Sequence, residues 1–321
     1  MTIARPRILV VGVGAIGGIV AAKLSSQAEV VGLDTNAPHA QAISERGLRV
    51  DGASQHQVRF PCVTQASDVA SGKFDAIVFL TKSKATPSVL DALRPSLQHR
   101  PLLVTLQNGM GNAEVLAGAG VPVARGVTMG AGRYVGPGHV THLIAGTSWL
   151  GPVHGSVEDL RWFGDLLSRS GLPCEVIADP MDAVWSKFVF NCVMNPVGAL
   201  VGGSNAARYE VAEVRELIDE MADECQRVVR ALGGSFAFDP MAFVHKVRTG
   251  EIPRSRHAGS MALDIARGAE TEIDELTGWI VRQADRFGIA VPSCRTVTRL
   301  VKGLEYAARE RHSNEQQETT P

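Results

Sequence analysis

Short apolar runs alternate with stretches of helical periodicity along the first half of the chain. The apolar runs are brief, rich in β-branched residues and bounded by turn residues, which is typical of buried strands. Four runs have this pattern: Ile8–Val13, Val30–Asp34, Ala76–Leu80 and Leu102–Leu106. Helical patterns such as Ile16–Ser26 and Pro38–Arg46 lie between them. This alternation predicts a mostly parallel sheet with helices on both faces.

The pattern changes in the middle of the chain. Between Arg125 and Gly151, glycine and proline residues separate alternating segments, which we predict to be antiparallel strands appended to the parallel sheet. After Asp179–Pro180 the periodicity becomes helical and stays so. Four helices are predicted there: Met181–Leu200, Glu210–Leu232, Thr271–Phe287 and Arg295–Arg311.

Composition and charge narrow the class of protein. Of 321 residues, 45% are apolar and 20% are charged, and the formal net charge is −1. A nucleic-acid-binding domain usually has a clear basic excess, so no nucleic-acid partner is expected. No apolar run has the length of a membrane span or of a signal peptide. The five scattered cysteines argue against a disulfide framework and a zinc site. We therefore predict a cytoplasmic protein with reduced thiols, no membrane association and no metal.

A glycine-rich string follows the first predicted strand and opens the first predicted helix. Its residues are Gly12, Val13, Gly14, Ala15, Ile16 and Gly17, which form a G-x-G-x-x-G pattern. In a βαβ unit, Gly12 would allow the tight turn, Gly14 the approach of a pyrophosphate, and Gly17 the close packing of helix on strand. The helix N-terminus would then bind the diphosphate of a dinucleotide. The alternative is a glycine-rich turn without a ligand.

Asp34 ends the second predicted strand, a little over 20 residues past the glycine string. A carboxylate at this place accepts hydrogen bonds from the ribose hydroxyls of NAD and repels the 2′-phosphate of NADP. The next residues, Thr35, Asn36 and Ala37, carry no positive charge. The pattern therefore favours NAD(H), and the alternative is a solvated acid at a strand end.

These elements predict a two-domain protein. We expect a Rossmann-type, doubly wound α/β domain over residues 1–178, followed by an all-helical substrate and catalytic domain over 179–311. The active site is expected in the cleft between them. The last segment, 312–321, is polar and lacks apolar anchors, so we predict a disordered tail.

The predicted helix 181–200 carries a polar line on an otherwise apolar surface. Lys187, Asn191 and Asn195 recur every four residues and so share one face. Because unpaired buried polar groups are costly, this face must meet a partner or a cavity. A lysine between amides suits a general acid that protonates a carbonyl oxygen during reduction. An interface stripe, with Lys187 paired to a structural acid, explains the pattern equally well.

Several motifs, in this order, resemble the ketopantoate reductase family. They are Gly12–Gly17, Thr81–Lys82, Gln107–Gly111, Trp185–Pro196 with its Lys-Asn-Asn spacing, Gly259–Met261 with Asp264, Thr271–Asp274, and Gly288–Pro292. The resemblance covers almost the whole chain. It implies reduction of the C2 carbonyl of 2-dehydropantoate to give pantoate, with NADP(H) as the cofactor, and it suggests a homodimer.

The resemblance also implies roles for single residues. Lys187 would be the general acid, and Glu272 the acid that positions the lysine or the substrate. Three polar side chains would hold the carboxylate and hydroxyl groups of the substrate: Asn191, Asn195 and Ser260. Lys82 and Asn108 would lie near the nicotinamide end of the cofactor.

Structural roles compete with each assignment. Glu272 lies at a predicted helix start, where the helix dipole favours an acid in any case. Ser260 is a candidate helix cap, and Asn108 precedes a glycine in a common turn dipeptide. Lys82 has Lys84 as a neighbour, which is compatible with a solvated surface.

Two functional alternatives remain open at this point. The first is the same chemistry on another substrate, such as a bulky or aromatic 2-keto acid reduced with NADH, which the Asp34 signal fits. The second is a non-catalytic dinucleotide sensor, although a sensor has no need of a proton donor. Substrate identity, cofactor preference, oligomeric state and pathway do not follow from the sequence.

Overall fold

A computed structural model of the protein describes residues 5–254 and 258–318, with side chains described up to residue 311. The chain divides into two compact units, Met1–Pro180 and Met181–Pro321. The first unit is an α/β structure and the second is helical.

Among its described residues, the first unit contains twelve strands and five α-helices. Its elements are β1 (Arg7–Val11), α1 (Ala15–Leu24), β2 (Glu29–Leu33), α2 (Ala37–Arg46), β3 (Leu48–Gly52), β4 (His56–Val58), β5 (Cys62–Val63), β6 (Ala76–Phe79), α3 (Thr86–Ala92), β7 (Leu102–Thr105), α4 (Asn112–Ala117), β8 (Val123–Thr128), β9 (Ala131–Gly136), β10 (His139–Ile144), β11 (Ser148–His154), α5 (Val157–Arg169) and β12 (Cys174–Val176).

The main sheet has the strand order β12-β11-β8-β7-β6-β1-β2-β5. All its pairs are parallel except β11 with β8. Along β1, Ile8 and Val10 join one hydrophobic core, whereas Leu9 and Val11 join a second core on the other face. Burial on both faces explains the uninterrupted apolar runs of the central strands. The predicted Rossmann-type parallel sheet is confirmed.

A second, four-stranded sheet lies beside the main one, with the order β4-β3-β10-β9. The antiparallel strands predicted between residues 125 and 151 therefore divide: β11 extends the main sheet, whereas β9 and β10 belong to the second. Helix α1 is buried from Gly17 to Leu24 and needs cover on the side away from the main sheet. Strand β9 supplies it, since a Cβ added at Gly132 would lie 2.6 Å from Ile19 Cδ1.

The second unit contains seven helices among its described residues. They are α6 (Met181–Leu200), α7 (Asn205–Glu210), α8 (Ala212–Ala231), α9 (Ala242–Arg248), α10 (Ser260–Ala266), α11 (Thr277–Phe287) and α12 (Pro292–Glu318). Helix α6 has the predicted bounds. It packs against α8, α10, α11 and α12, which explains its nearly all-round apolar surface. Of the helices described, none is long and apolar enough to cross a membrane.

Three predicted helices have different bounds in the structure. The helix predicted over 210–232 corresponds to α8, which begins at Ala212, and Glu210 instead ends the preceding helix α7. Helix α11 begins at Thr277 rather than at Thr271, because Thr271 binds a side chain of α12 instead of opening a helix. Helix α12 begins at Pro292 rather than at Arg295, since the carboxylate of Glu224 accepts hydrogen bonds from the amides at its start.

Helix α12 also continues beyond its predicted end. Its backbone is helical to Glu318, whereas a disordered tail is predicted from residue 312. Glutamate and glutamine are good helix formers, and residues 312–318 extend a helix that is already nucleated. The rest of the predicted tail, residues 319–321, lies outside the described residues.

A group of basic side chains belongs to α1 and the second sheet. The ammonium of Lys23 donates to Gly171 O at 2.6 Å. His142 is buried, with Ser54 Oγ 2.8 Å from its Nδ1. Burial and the charge of Lys23 lower the pKa of both His142 and His56. The fold therefore favours the neutral form of both imidazoles.

This arrangement predicts that acid weakens the fold. The pKa of His142 is lower in the folded protein than its ordinary value of 6.5, so the unfolded chain binds the additional proton as pH falls. The thermal unfolding midpoint is expected to fall by several degrees between about pH 7 and pH 5. In His142→Asn the fall should be smaller, as measured by circular dichroism. The exposed His154→Asn is the control, and an equal pH dependence in all three proteins would contradict the account.

Candidate active site

The close contact between the β1–α1 turn and the start of α1 requires glycine at two positions. Gly12 has a φ of +87°, and a Cβ added there would lie 2.7 Å from the amide nitrogen of Thr81. A Cβ added at Gly17 would lie 1.8 Å from Gly12 O, so the helix packs directly on the turn. A Cβ at Gly14, in contrast, would meet nothing within 4 Å. The turn is therefore tight on its inner side and open at Gly14.

Helix α1 presents its first amides at this open side. It begins at Ala15, Gly14 is its N-cap residue, and no side chain caps it by hydrogen bonding. Uncapped amides at a helix N-terminus bind anions, and the helix dipole adds to the attraction. The amides of Ala15 and Ile16 are therefore placed to donate to a diphosphate, as the glycine string predicts.

Asp34 follows β2 and is fastened to the glycine turn. Its Oδ2 accepts a hydrogen bond from Val13 N at 2.8 Å, and its Oδ1 accepts one from Asn36 N at 2.9 Å. A carboxylate has about four acceptor sites, so two remain for other donors such as ribose hydroxyls. The side chain is partly exposed, which leaves it accessible to a ligand.

The surroundings of Asp34 contain a buried histidine that the sequence did not reveal. Gly138 N donates to His39 Nδ1 at 2.9 Å, so the ring proton lies on Nε2, which is 3.0 Å from Val13 O. His39 thus joins the glycine turn to the second sheet. Nearby, Asn36 Nδ2 donates to the hydroxyl of Tyr134 at 3.3 Å.

Lys82 and Asn108 follow β6 and β7, which are neighbours in the sheet. The strands β7, β6, β1 and β2 are adjacent and parallel, so the predicted cofactor residues all lie at one sheet edge. Lys82 is exposed and Asn108 is partly buried. Asn112 Nδ2 donates to Asn108 O at 3.2 Å, which fixes the backbone after β7.

Gln107 connects the two loops that carry Lys82 and Asn108. Its Nε2 lies 2.9 Å from both Thr81 O and Thr86 Oγ1, and its Oε1 accepts from Thr105 Oγ1 at 3.0 Å. The motif containing Gln107 was recognisable in the sequence, but the structure is needed to show this bridging role.

In the second unit, α6 carries the polar line. Lys187, Asn191 and Asn195 lie on one face of the helix; Asn191 is buried, and the other two are partly exposed. Pro196 lies within this helix and has no amide hydrogen, so the carbonyl of Cys192 loses its usual helical partner. Thr277 Oγ1 donates to that carbonyl at 2.6 Å, which stabilises the helix beside the line.

The environment of Lys187 changes its acidity. Burial lowers the pKa of Lys187 to about 8, and the negative charge of Glu272 opposes this shift. The two residues that the sequence assigned to catalysis are therefore coupled electrostatically in the structure. A lysine with a pKa near 8 can release a proton at neutral pH more readily than an ordinary lysine.

The structure does not place Glu272 in the first turn of a helix, nor does it use Ser260 as a helix cap. Glu272 lies in a turn five residues before α11, so it does not occupy the first turn of that helix. Ser260 is the first residue of α10, but Gly259 is the N-cap and no side chain caps this helix. Ser260 is exposed, so its hydroxyl is accessible to a ligand.

The buried guanidinium of Arg208 lies at the end of the polar line, beyond Asn195. Gly198 lies on the same face as Asn191, seven residues further along, and a Cβ there would be 3.0 Å from Arg208 Nη1. The same guanidinium donates to Met194 O at 3.4 Å. Arg208 was not among the predicted site residues, because its helix α7 lies almost wholly between the predicted helices 181–200 and 210–232.

Comparisons with known proteins decide the family. The model of the family "Ketopantoate reductase PanE/ApbA" matches residues 8–155, and that of its C-terminal domain matches residues 179–305. The chain belongs to the ketopantoate reductase family.

Curated relatives and solved structures agree with this membership. A 2-dehydropantoate 2-reductase of Halobacterium salinarum is 33% identical over 306 residues, and that of Archaeoglobus fulgidus is 28% identical over 300; each match covers 98% of the relative. The crystal structure of a PanE/ApbA family ketopantoate reductase from Ralstonia eutropha has a TM-score of 0.84 at 29% identity, covering 94% of this chain and 99% of the other. D-mandelate dehydrogenase with NADH and anilino(oxo)acetate has a TM-score of 0.85 at 24% identity, with the same coverage, and shows the shared fold.

Membership of the ketopantoate reductase family confirms the predicted resemblance and the prediction of an oxidoreductase. It also supports a nicotinamide cofactor, and the glycine turn, the α1 amides and Asp34 fit one. Among the described residues, no group of three or more histidine, cysteine or acidic side chains is arranged to hold a metal ion.

The geometry of the glycine turn predicts two different mutant phenotypes. Gly17→Ala should lower the free energy of unfolding by about 3 kcal/mol, because the new Cβ would overlap Gly12 O. Gly14→Ala should leave stability near that of the wild type but weaken NADH binding, since its methyl would face the open side. Denaturant unfolding and calorimetric titration with NADH measure the two effects. A stable Gly17→Ala protein, or normal NADH binding by Gly14→Ala, would contradict this view of the turn.

Proposed function

We propose that the protein reduces the C2 carbonyl of 2-dehydropantoate to give pantoate. The single observation that carries the proposal is the electrostatic coupling of Glu272 with Lys187, which lies on the polar line of α6. Both residues lie in the region that matches the C-terminal domain of the ketopantoate reductase family. Curated relatives that align along almost their whole length are 2-dehydropantoate 2-reductases, which supports the choice of substrate.

Lys187 supplies the proton in this proposal. The bound nicotinamide, in its reduced form, supplies the hydride. The ammonium of Lys187 donates a hydrogen bond to the carbonyl oxygen, stabilises the negative charge that develops there, and then transfers its proton. A pKa of about 8 keeps the lysine largely protonated at neutral pH while making the proton transfer easier than from an ordinary lysine.

Glu272 keeps Lys187 protonated. Without a nearby negative charge, burial alone would lower the pKa of Lys187 further and reduce the fraction of ammonium at neutral pH. The amides of Asn191 and Asn195 and the hydroxyl of Ser260 would hold the carboxylate and hydroxyl groups of the substrate. They add no charge to the site, so they do not disturb this balance.

We further propose that NADH is preferred over NADPH. The Asp34 carboxylate is held by the amides of Val13 and Asn36 at the end of β2. In that position the carboxylate can accept hydrogen bonds from ribose hydroxyls and repel a 2′-phosphate. The following residues, Thr35 and Asn36, offer no positive charge for such a phosphate.

The substrate is tested by following absorbance at 340 nm with 2-dehydropantoate and, in parallel, phenylglyoxylate. Faster oxidation of NADH with 2-dehydropantoate is the expected result. A strong preference for phenylglyoxylate would assign the same chemistry to an aromatic substrate, as the fold of D-mandelate dehydrogenase allows. Cofactor binding without turnover on any 2-keto acid would indicate a dinucleotide sensor.

Removal of the proposed proton donor should abolish turnover but not cofactor binding. In Lys187→Ala, kcat is expected to fall by about 10²–10⁴-fold, because general acid catalysis contributes on that scale. The dissociation constant for NADH should stay near that of the wild type in calorimetric titration. Lys246→Ala, which removes an exposed lysine of α9, is the control. Wild-type kcat in Lys187→Ala would exclude the proposed role.

The role of Asp34 predicts a change in cofactor preference. Asp34→Asn keeps the size of the side chain and one acceptor oxygen but removes the charge that repels a 2′-phosphate. The ratio of kcat/KM for NADH to that for NADPH is expected to fall about tenfold, the scale of one charge-assisted hydrogen bond. Glu45→Gln, at the exposed end of α2, is the control. An unchanged ratio would show that Asp34 does not select the cofactor.

A further inference from the structure

Helix α12 carries a buried carboxylate that the proposed mechanism does not use. Glu305 is only 2% exposed and lies between the buried residues Val301 and Ala308 on the inner face of the helix. A buried carboxylate is costly unless it is hydrogen-bonded or paired. Its partners therefore indicate why an acid occupies this position.

The partners of Glu305 belong to the turn that carries Glu272. Its Oε1 accepts from both the amide and the hydroxyl of Thr271, at 2.8 and 2.6 Å. Its Oε2 lies 3.0 Å from Lys302 Nζ, which also donates to Asp274 Oδ2 at 2.9 Å. Glu305 and Lys302 thus hold the turn on both sides of Glu272.

Thr271 also connects Glu305 to the backbone that follows Glu272. Its hydroxyl accepts from Ile273 N at 3.2 Å while donating to Glu305, so the backbone on either side of Glu272 is bonded to one threonine. The side chain of Ile273 is fully buried and fixes the turn against the core of the unit. Glu272 therefore projects from a segment whose backbone is held from α12.

We propose that Glu305 is a positioning residue of the active site, which fixes the Thr271–Asp274 turn and thereby keeps the Glu272 carboxylate near Lys187. The inference rests on the proposed function. It deepens that function by assigning a task to an acid whose partners are Thr271 and Lys302 rather than Lys187. Displacement of Glu272 would leave the ammonium of Lys187 without the charge that sustains it in a buried place.

Thr271→Val is the decisive variant, because it removes the hydroxyl but leaves the Glu305 charge in place. The expected results are a lower kcat, an NADH dissociation constant near that of the wild type, and a pKa of Lys187 below the wild-type value of about 8. Thr271→Ser keeps the hydroxyl and should restore all three properties. The pKa is measured without substrate, by NMR titration of protein labelled with ¹³C at the lysine ε-carbon, with Lys187→Ala used for assignment.

Glu305→Gln and Glu310→Gln complete the set. Glu305→Gln keeps an acceptor for Thr271 and should lie between Thr271→Val and the wild type, whereas Glu310→Gln changes an exposed acid of the same helix and should match the wild type. If Thr271→Val is folded, with a wild-type pKa of Lys187, the positioning role is overturned. Since the NMR titration needs no turnover, this outcome is distinct from a failure of the protein to reduce 2-keto acids, which would overturn the proposed function instead.

Discussion

The second unit depends on one constraint, the need to keep an ammonium group on an otherwise apolar, buried helix. Lys187 lies among the apolar side chains of α6, where burial favours its neutral form, and the charge of Glu272 opposes that shift. The helix can carry this group only if its own polar atoms are satisfied. Thr277 satisfies the carbonyl left open by Pro196, and the turn around Glu272 is held from α12.

The first unit meets a different requirement, the close approach of backbone to an anionic ligand. Gly12 and Gly17 bring β1 and α1 into contact at the turn, and the start of α1 remains free of a side-chain cap. Asp34 and His39 are hydrogen-bonded to Val13 in the middle of this turn, so the acid proposed to bind ribose is joined directly to the glycine string. The sheet supplies the rest, since four adjacent parallel strands end at the same edge.

Much of this could be predicted from local patterns. The central strands are apolar throughout because both faces are covered, and the start of α6 follows from the change to helical periodicity after Asp179–Pro180. What could not be predicted depends on distant contacts. The start of α11 is displaced by a bond from Thr271 to Glu305, 34 residues away. The second sheet pairs β3 with β10 across some 90 residues, and neither strand shows that partner in its own sequence. The positions of Arg208 and His39 likewise depend on contacts with residues outside their own helices.

The proton-donating role of Lys187 is the central claim, and the pH dependence of kcat/KM for 2-dehydropantoate tests it most directly. This ratio reports the ionisation of the enzyme before the keto acid binds, and only the protonated lysine can complete the reduction, so the ratio falls as the ammonium titrates. With saturating NADH, the account predicts a kcat/KM that is constant near neutrality and falls tenfold per pH unit above an apparent pKa of about 8. A kcat/KM that stays constant to beyond about pH 9.5 would contradict it, because a lysine with that pKa would then be almost wholly deprotonated.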